Sequence, residues 1–304
     1  MEIKTVYHQP RPSRAPNLST LLGLSCVIKV VDVGANPIDS PAPYASLLVS
    51  GCADVVGFEP NAEALAKLDR LKGPRETYLP YAIGDGRQHT LHLCQADGMT
   101  SLLQPNPKVL SLIHGFSVWG QVVRKQLVET KRLDDIPETV GLDYLKMDIQ
   151  GAELMVLQHA TERLHHAVAI HTEVEFLPMY VGQPLFSDVD QFLRQHGFVL
   201  HRFNPLSTRA VVPLALANKP HDGYGQLFWA DAVFIKDFTR PEQLDPDQLL
   251  RLAVILHDCY AAYDVAAHLL TARDRQIGGD LGERYVRLAV GASRSSASPA
   301  RPAG

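Results

Sequence analysis

Cysteine is scarce in this chain: there are four in 304 residues, and Cys26, Cys52, Cys94 and Cys259 are scattered without a Cys-x-x-Cys pair. Such spacing argues against a zinc site or a disulfide framework and fits buried thiols in a reducing cytoplasm. Long apolar runs are missing too. The stretch from Leu21 to Val33 contains Lys29 and is shorter than the roughly 20 residues of a membrane span, and Met1 to Asn17 mixes charges with prolines, unlike a signal peptide. Positive charge is in deficit, with 29 Lys and Arg against 33 Asp and Glu. No basic stripe with interleaved aromatics offsets the net charge of −4, and Lys125, Lys131, Arg132, Arg294 and Arg301 read as solvated surface. Nucleic acid is therefore not an expected partner, because phosphate contacts need a basic face. Phosphate-cradling loops are absent as well. There is no Gly-x-Gly-x-x-Gly, no Gly-x-x-x-x-Gly-Lys-Ser/Thr, and no Tyr-x-x-x-Lys pair of a short-chain dehydrogenase.

What is present is a set of apolar runs that end in acids. Val30-Val31-Asp32-Val33-Gly34-Ala35-Asn36 reads as a buried parallel strand feeding a tight turn. Val55-Val56-Gly57-Phe58-Glu59-Pro60-Asn61 reads as the next strand of the same sheet, with Glu59 lying 23 residues after Asn36. In a nucleoside-binding βαβ unit the small residues of the first turn let a ligand approach the backbone, and the acid closing the second strand accepts from both ribose hydroxyls. The turn also discriminates among cofactors. Gly34-Ala35-Asn36-Pro37-Ile38-Asp39 has one glycine, a proline, and an acid where an anion would dock, which disfavours NAD and FAD. S-adenosyl-L-methionine carries no phosphate, bears a sulfonium cation, and offers an amino acid end that strand-end groups such as Asp32 can bind.

A third block, Leu142 to Leu157, repeats the pattern: a strand ending in Asp148, a turn at Gly151, then a helix with Leu154, Val156 and Leu157 facing the sheet. Taken with Phe58-Glu59-Pro60, Thr130 to Asp135, Lys146 to Glu153 and Thr172-Glu173, the chain resembles the FkbM-type family of S-adenosylmethionine-dependent methyltransferases over residues 27–236. That resemblance implies a bacterial O-methyltransferase acting on a hydroxyl of a sugar, glycan or natural product, and the cysteine usage places it in the cytoplasm. Two departures stand out. Pro37-Ile38 follows Asn36 where the family continues Asn-x-Gly, which holds Asn36 in the β or polyproline region, and Gln150 stands where the family has Glu or Val. The unusual loop leaves a non-catalytic cofactor-binding or scaffold protein as a rival reading. A nucleic-acid amino-methyltransferase is disfavoured, because Asp148-Ile149-Gln150-Gly151 replaces the Asn/Asp-Pro-Pro-Tyr expected after the fourth strand.

The expected fold is α/β, a Rossmann-like class I methyltransferase with a mostly parallel seven-stranded sheet, an antiparallel edge and C-terminal helices. Residues 1–26 form an N-terminal extension, 27–238 the cofactor-binding domain, 239–288 a helical appendage and 289–304 a disordered tail rich in Ala, Ser, Pro and Gly. Helices are predicted over Pro43–Ser50, Asn61–Leu71, Gly151–His159 and Ser187–His196, the last with Ser187 as N-cap. Strands are predicted over Ala167–Glu173, Phe198–Phe203 and Leu227–Lys236. Helical spacing of apolar residues from Asp245 to Leu270 gives two helices that pack on the core or form a homodimer. An excursion over residues 95–125 reads as a cap excluding water, or equally as a plain surface helix.

Parallel sheets bind ligands outside the carboxyl ends of their strands. The expected cofactor residues are thus Asp32, Gly34, Ala35, Asn36, Glu59, Pro60 and Asp148, with Ile83 on the adenine side and Ser101 from the cap. Methyl transfer to an alcohol needs positioning, exclusion of water and a general base. Glu173, His171 and Asp148 are the catalytic candidates, with Glu153 and Glu175 nearby. His171, Glu173 and Glu175 share one strand face, though His171 also fits a buried histidine with a satisfied hydrogen bond. Asp148 with Glu173 could instead hold Mg²⁺; the expectation is no metal.

Overall fold

The computed structural model of the chain describes residues 16–35, 41–215 and 222–295. Among these residues ten strands form two sheets: β1 (Ile28–Val33), β2 (Ala53–Phe58), β3 (Glu76–Leu79), β4 (Ala82–Ile83), β5 (Gln88–Cys94), β6 (Val122–Lys131), β7 (Tyr144–Met147), β8 (Ala169–Glu175), β9 (Phe198–Thr208) and β10 (Leu227–Lys236). The larger sheet has the order β3-β2-β1-β7-β8-β10-β9. Its β2–β3, β1–β7 and β7–β8 pairs are parallel, and β10 runs antiparallel to both β8 and β9. This is the Rossmann-like class I methyltransferase arrangement, reached by burying apolar strands on both faces.

The helices that cover this sheet are α3 (Ala62–Leu71), α6 (Glu153–Gln158), α7 (Thr161–His166) and α8 (Phe186–Gln195). Val31, Val33, Leu145, Met147, Ile170 and Val174 on one sheet face share a core with Val156, Leu157, Leu164, Val189 and Leu193 from the helices. Asn61 caps α3 by accepting from the amides of Glu63 and Ala64. Several expected boundaries shift. Helix α8 starts at Phe186, ahead of Ser187, because the Asp188 carboxylate accepts the Leu185 amide at 2.8 Å. Strand β8 runs to Glu175, two residues beyond the predicted end, because β10 pairs Trp229 with Glu175 and Asp231 with Glu173.

The smaller sheet, β4-β6-β5, carries the excursion between β5 and β6. Its two short helices, α4 (Pro107–Leu110) and α5 (Phe116–Trp119), replace any single long helix. They build a second core from Cys94, Met99, Leu110, Ile113 and Phe116 with Met179, Tyr180 and Phe228. The excursion is thereby docked on the segment that follows β8.

The chain divides into two compact units, one of residues 29–42 and 54–236, which contains both cores just described, and one of residues 1–28, 43–53 and 237–304. The second unit comprises α1 (Leu18–Leu22), α2 (Ala45–Val49), α9 (Pro246–Tyr260), α10 (Tyr263–Ile277) and α11 (Leu281–Ser295). Asp245 and Gln248 cap α9 reciprocally, each side chain accepting the other's amide at 2.8 and 3.1 Å. His257 joins the N-terminal segment to the last helix, through Pro16 O at 3.2 Å and the Tyr285 hydroxyl at 2.8 Å. Helix α11 continues past Leu288 into the segment whose composition reads as a tail, and residues 296–304 lie outside the described ones. No helix among the described residues is long and apolar enough to cross a membrane.

Candidate active site

The site is built from the carboxyl ends of β1, β2, β7 and β8. Strand β1 ends in the Gly34-Ala35 turn, where Gly34 has φ +78°. A Cβ on Gly34 would lie 2.1 Å from the Asp148 carbonyl oxygen, so both the left-handed backbone and the close approach of the β7 end demand glycine. The Gly34 and Ala35 amides both donate to Phe58 O at 3.1 Å, tying the turn to the end of β2. Asn36 and the Pro37-Ile38 loop lie outside the described residues.

Lys146 anchors this turn. It faces Asp32 across the β1–β7 ladder, with Nζ 3.1 Å from Asp32 Oδ1, and donates to Gly34 O at 3.2 Å. Burial disfavours its charge, yet the Asp32 and Asp148 charges, the hydrogen bond to Asp32 and the Asp231 charge hold its pKa above the ordinary lysine value. The same row continues to His171 on β8, whose Nε2 lies 3.5 Å from Asp231 Oδ2.

Glu59 closes β2 and is 6% exposed. Its Oε1 accepts the Asn61 amide at 2.7 Å. Oε2 has no hydrogen-bond partner among the described residues. Burial first, then the nearby Asp32 and Asp97 charges, raise its pKa against the lowering effect of the Asn61 amide and Lys146.

The ends of β7 and β8 bring four carboxyl groups together. Gln150 Nε2 donates to Asp148 Oδ1 at 2.9 Å and to Glu173 Oε2 at 2.8 Å. Glu153, at the start of α6, accepts the Ile149 amide at 2.9 Å, and burial pushes its pKa up to about 7. Glu173 and Glu175 are both raised well above the carboxylate range, by burial first and then by the negative charges around them. No group of three or more His, Cys, Asp and Glu among the described residues is placed to hold a metal ion.

Of the expected cofactor residues, Asp32, Gly34, Ala35 and Glu59 gather on the β1–β2 side. Asp148 and Ser101 gather on the β7–β8 side beside the catalytic candidate Glu173, with Ser101 donating to Gln150 O at 2.6 Å. Pro60 is exposed beside Glu59, and Ile83 places its side chain in the main core with Phe58 and Leu133. The Thr130 to Asp135 block is structural. Thr130 accepts the Gly86 and Arg87 amides, and Asp134 accepts the Glu162 and Arg163 amides at the start of α7. Sequence reasoning gave no role to Lys146, Gln150 or Tyr180. Lys146 was within reach, since strand alternation puts it two residues before Asp148 on the same face.

The family model for the methyltransferase FkbM domain matches residues 32–200, more than half of the chain and the whole span from Asp32 to the start of β9. The chain belongs to the FkbM methyltransferase family. The 2-O-methyltransferase NoeI of Sinorhizobium fredii (strain NBRC 101917 / NGR234) is 30% identical over 175 residues, which cover 53% of this chain and 69% of that protein. Solved structures are more distant. Precorrin-6y C5,15-methyltransferase from Geobacter metallireducens GS-15 is 12% identical with a TM-score of 0.31, over 72% of this chain and 85% of that one. A SAM-dependent methyltransferase from Aquifex aeolicus is 13% identical with a TM-score of 0.29, over 71% of this chain and 86% of that one. Likenesses this remote say nothing about the acceptor of this FkbM-family protein.

Proposed function

We propose that this FkbM-family protein transfers the methyl group of S-adenosyl-L-methionine to a hydroxyl oxygen of a sugar, glycan or natural product. The observation that carries the reading is the lining of the strand ends. Glu59, Asp148, Glu173 and Glu175 line them with carboxyl groups, and the nearby cation, Lys146, is committed to Asp32 and Gly34. A phosphate-bearing cofactor would meet carboxyl groups there in place of an available cation, whereas a phosphate-free sulfonium fits.

Glu59, whose Oε1 accepts the Asn61 amide while Oε2 has no partner among the described residues, would hold the ribose hydroxyls. Asp32 and the Gly34-Ala35 turn would hold the amino acid end. When bound, S-adenosylmethionine would supply a methyl group on a sulfonium, with S-adenosylhomocysteine as the leaving group. Glu173 takes the hydroxyl proton, His171 orients the acceptor, and the excursion between β5 and β6 keeps water out. Transfer to oxygen is supported by the likeness to NoeI, a 2-O-methyltransferase.

The test is a library of sugar and polyol acceptors screened for S-adenosylhomocysteine release, followed by Glu173→Gln on any acceptor found. Loss of a general base should lower kcat by about 10²-fold or more while cofactor affinity stays within about threefold. Normal turnover by Glu173→Gln with a dead His171→Ala would move the base to His171.

A further inference from the structure

We propose that Gln150 is a positioning residue for Glu173: its amide ties Glu173 Oε2 to Asp148 and leaves Glu173 Oε1 to face the acceptor. The role of Oε1 rests on the methyl-transfer reading above; the clamp itself does not.

The backbone gives the first indication. Gln150 has φ +59°, and Ala261 is the one other non-glycine residue with positive φ among the described residues. A left-handed glutamine is unfavourable where glycine would fit, and such conformations persist where the surroundings hold them for a purpose.

The side chain gives the second. Both Nε2 protons are used, one on each carboxylate, at 2.9 and 2.8 Å. Chemistry fixes the amide's orientation, because its oxygen facing two carboxylates would be repelled. That oxygen instead lies 3.1 Å from the Tyr180 hydroxyl, which is also 3.2 Å from Met99 O. The Gln150 carbonyl accepts from Ser101 Oγ, and Ser101 Oγ accepts the Leu103 amide at 2.9 Å. One residue thus joins the ends of β7 and β8 to the excursion and to the segment after β8.

The charges around Glu173 show what the clamp opposes. Burial first, and then the acidic neighbours Asp148 at the end of β7, Glu175 on its own strand, Glu153 at the start of α6 and Asp231 on β10, favour the protonated form. The Tyr180 hydroxyl is the neutral neighbour. Among the described residues the Gln150 amide is the donor that Glu173 Oε2 meets, and donation to a carboxylate favours its ionised form. Glu173 Oε1 has no partner among the described residues and is left for the acceptor.

The test reads the Glu173 protonation midpoint directly, by NMR titration of protein carrying ¹³Cδ-glutamate, with E173Q assigning the signal. Q150G is the main variant, since glycine adopts φ +59° freely and keeps the turn. Q150E, of equal length, is the second. The midpoint should rise by one pH unit or more in Q150G and further in Q150E, and the acidic limb of kcat should move with it while the KM for S-adenosylmethionine stays within twofold. A midpoint unchanged in both variants would overturn the clamp. A shifted midpoint in a protein that methylates no hydroxyl acceptor would support the clamp and defeat the methyl-transfer reading instead.

Discussion

Replacing Lys146 by Met removes one partner of a buried ion pair and leaves the other in place. Asp32 is 4% exposed, and its Oδ1 faces the lysine at 3.1 Å. Stranding a buried carboxylate in this way costs about 3–5 kcal/mol. The Gly34 carbonyl also loses a donor, which loosens the turn that the cofactor would approach. At about 2–4 °C per kcal/mol for a domain of this size, the melting temperature should fall by about 10 °C. The double variant Asp32→Asn with Lys146→Met removes the stranded charge and should cost less than the two singles added, by about 2 kcal/mol. Because folding raises the Lys146 pKa, its contribution is complete below the unfolded value near 10.4 and is lost only as pH climbs through the folded value. The deficit of Lys146→Met should therefore be constant from about pH 6 to 9. Thermal melts of the four proteins at three pH values test this. A Lys146→Met protein that melts within 2 °C of wild type would show that the ion pair does not hold the turn.

Gly34→Ala should destabilise by about 1–2 kcal/mol from its φ of +78° alone, and by more from the 2.1 Å approach to Asp148 O; urea unfolding at unchanged slope checks it. Glu153→Gln should raise the melting temperature at pH 8 but not at pH 4. The folded Glu153 carboxyl, with its pKa near 7, costs stability as pH rises from the unfolded value to that point, by at most about 1.4 kcal/mol per unit. Activity on any accepted hydroxyl should survive exhaustive chelation, and a loss reversed by added Mg²⁺ would show Asp148 and Glu173 to be metal ligands.

The strands were legible because their signal is local: apolar runs ending in Asp32, Glu59 and Asp148 define the sheet and its functional edge within a few residues each. Strand β10 was readable to its exact span for the same reason. The end of β8 was not, because pairing with β10, more than 50 positions away, extends it to Glu175. The helical unit is equally non-local, since the His257 contact to Pro16 joins residues 241 apart. Within the site, Gln150 read as a departure from the family's Glu or Val and nothing more. Its importance comes from a left-handed backbone and from Tyr180, 30 positions on, and neither leaves a mark in the local sequence.

Calorimetric titration of wild type and Glu59→Ala with S-adenosyl-L-methionine asks whether Glu59 holds a phosphate-free nucleoside cofactor. The wild type should bind, and loss of the charge-assisted acceptor should weaken binding by about 2–3 kcal/mol, or about 30- to 150-fold. Unchanged affinity in Glu59→Ala, or tight binding of NAD by the wild type, would contradict it.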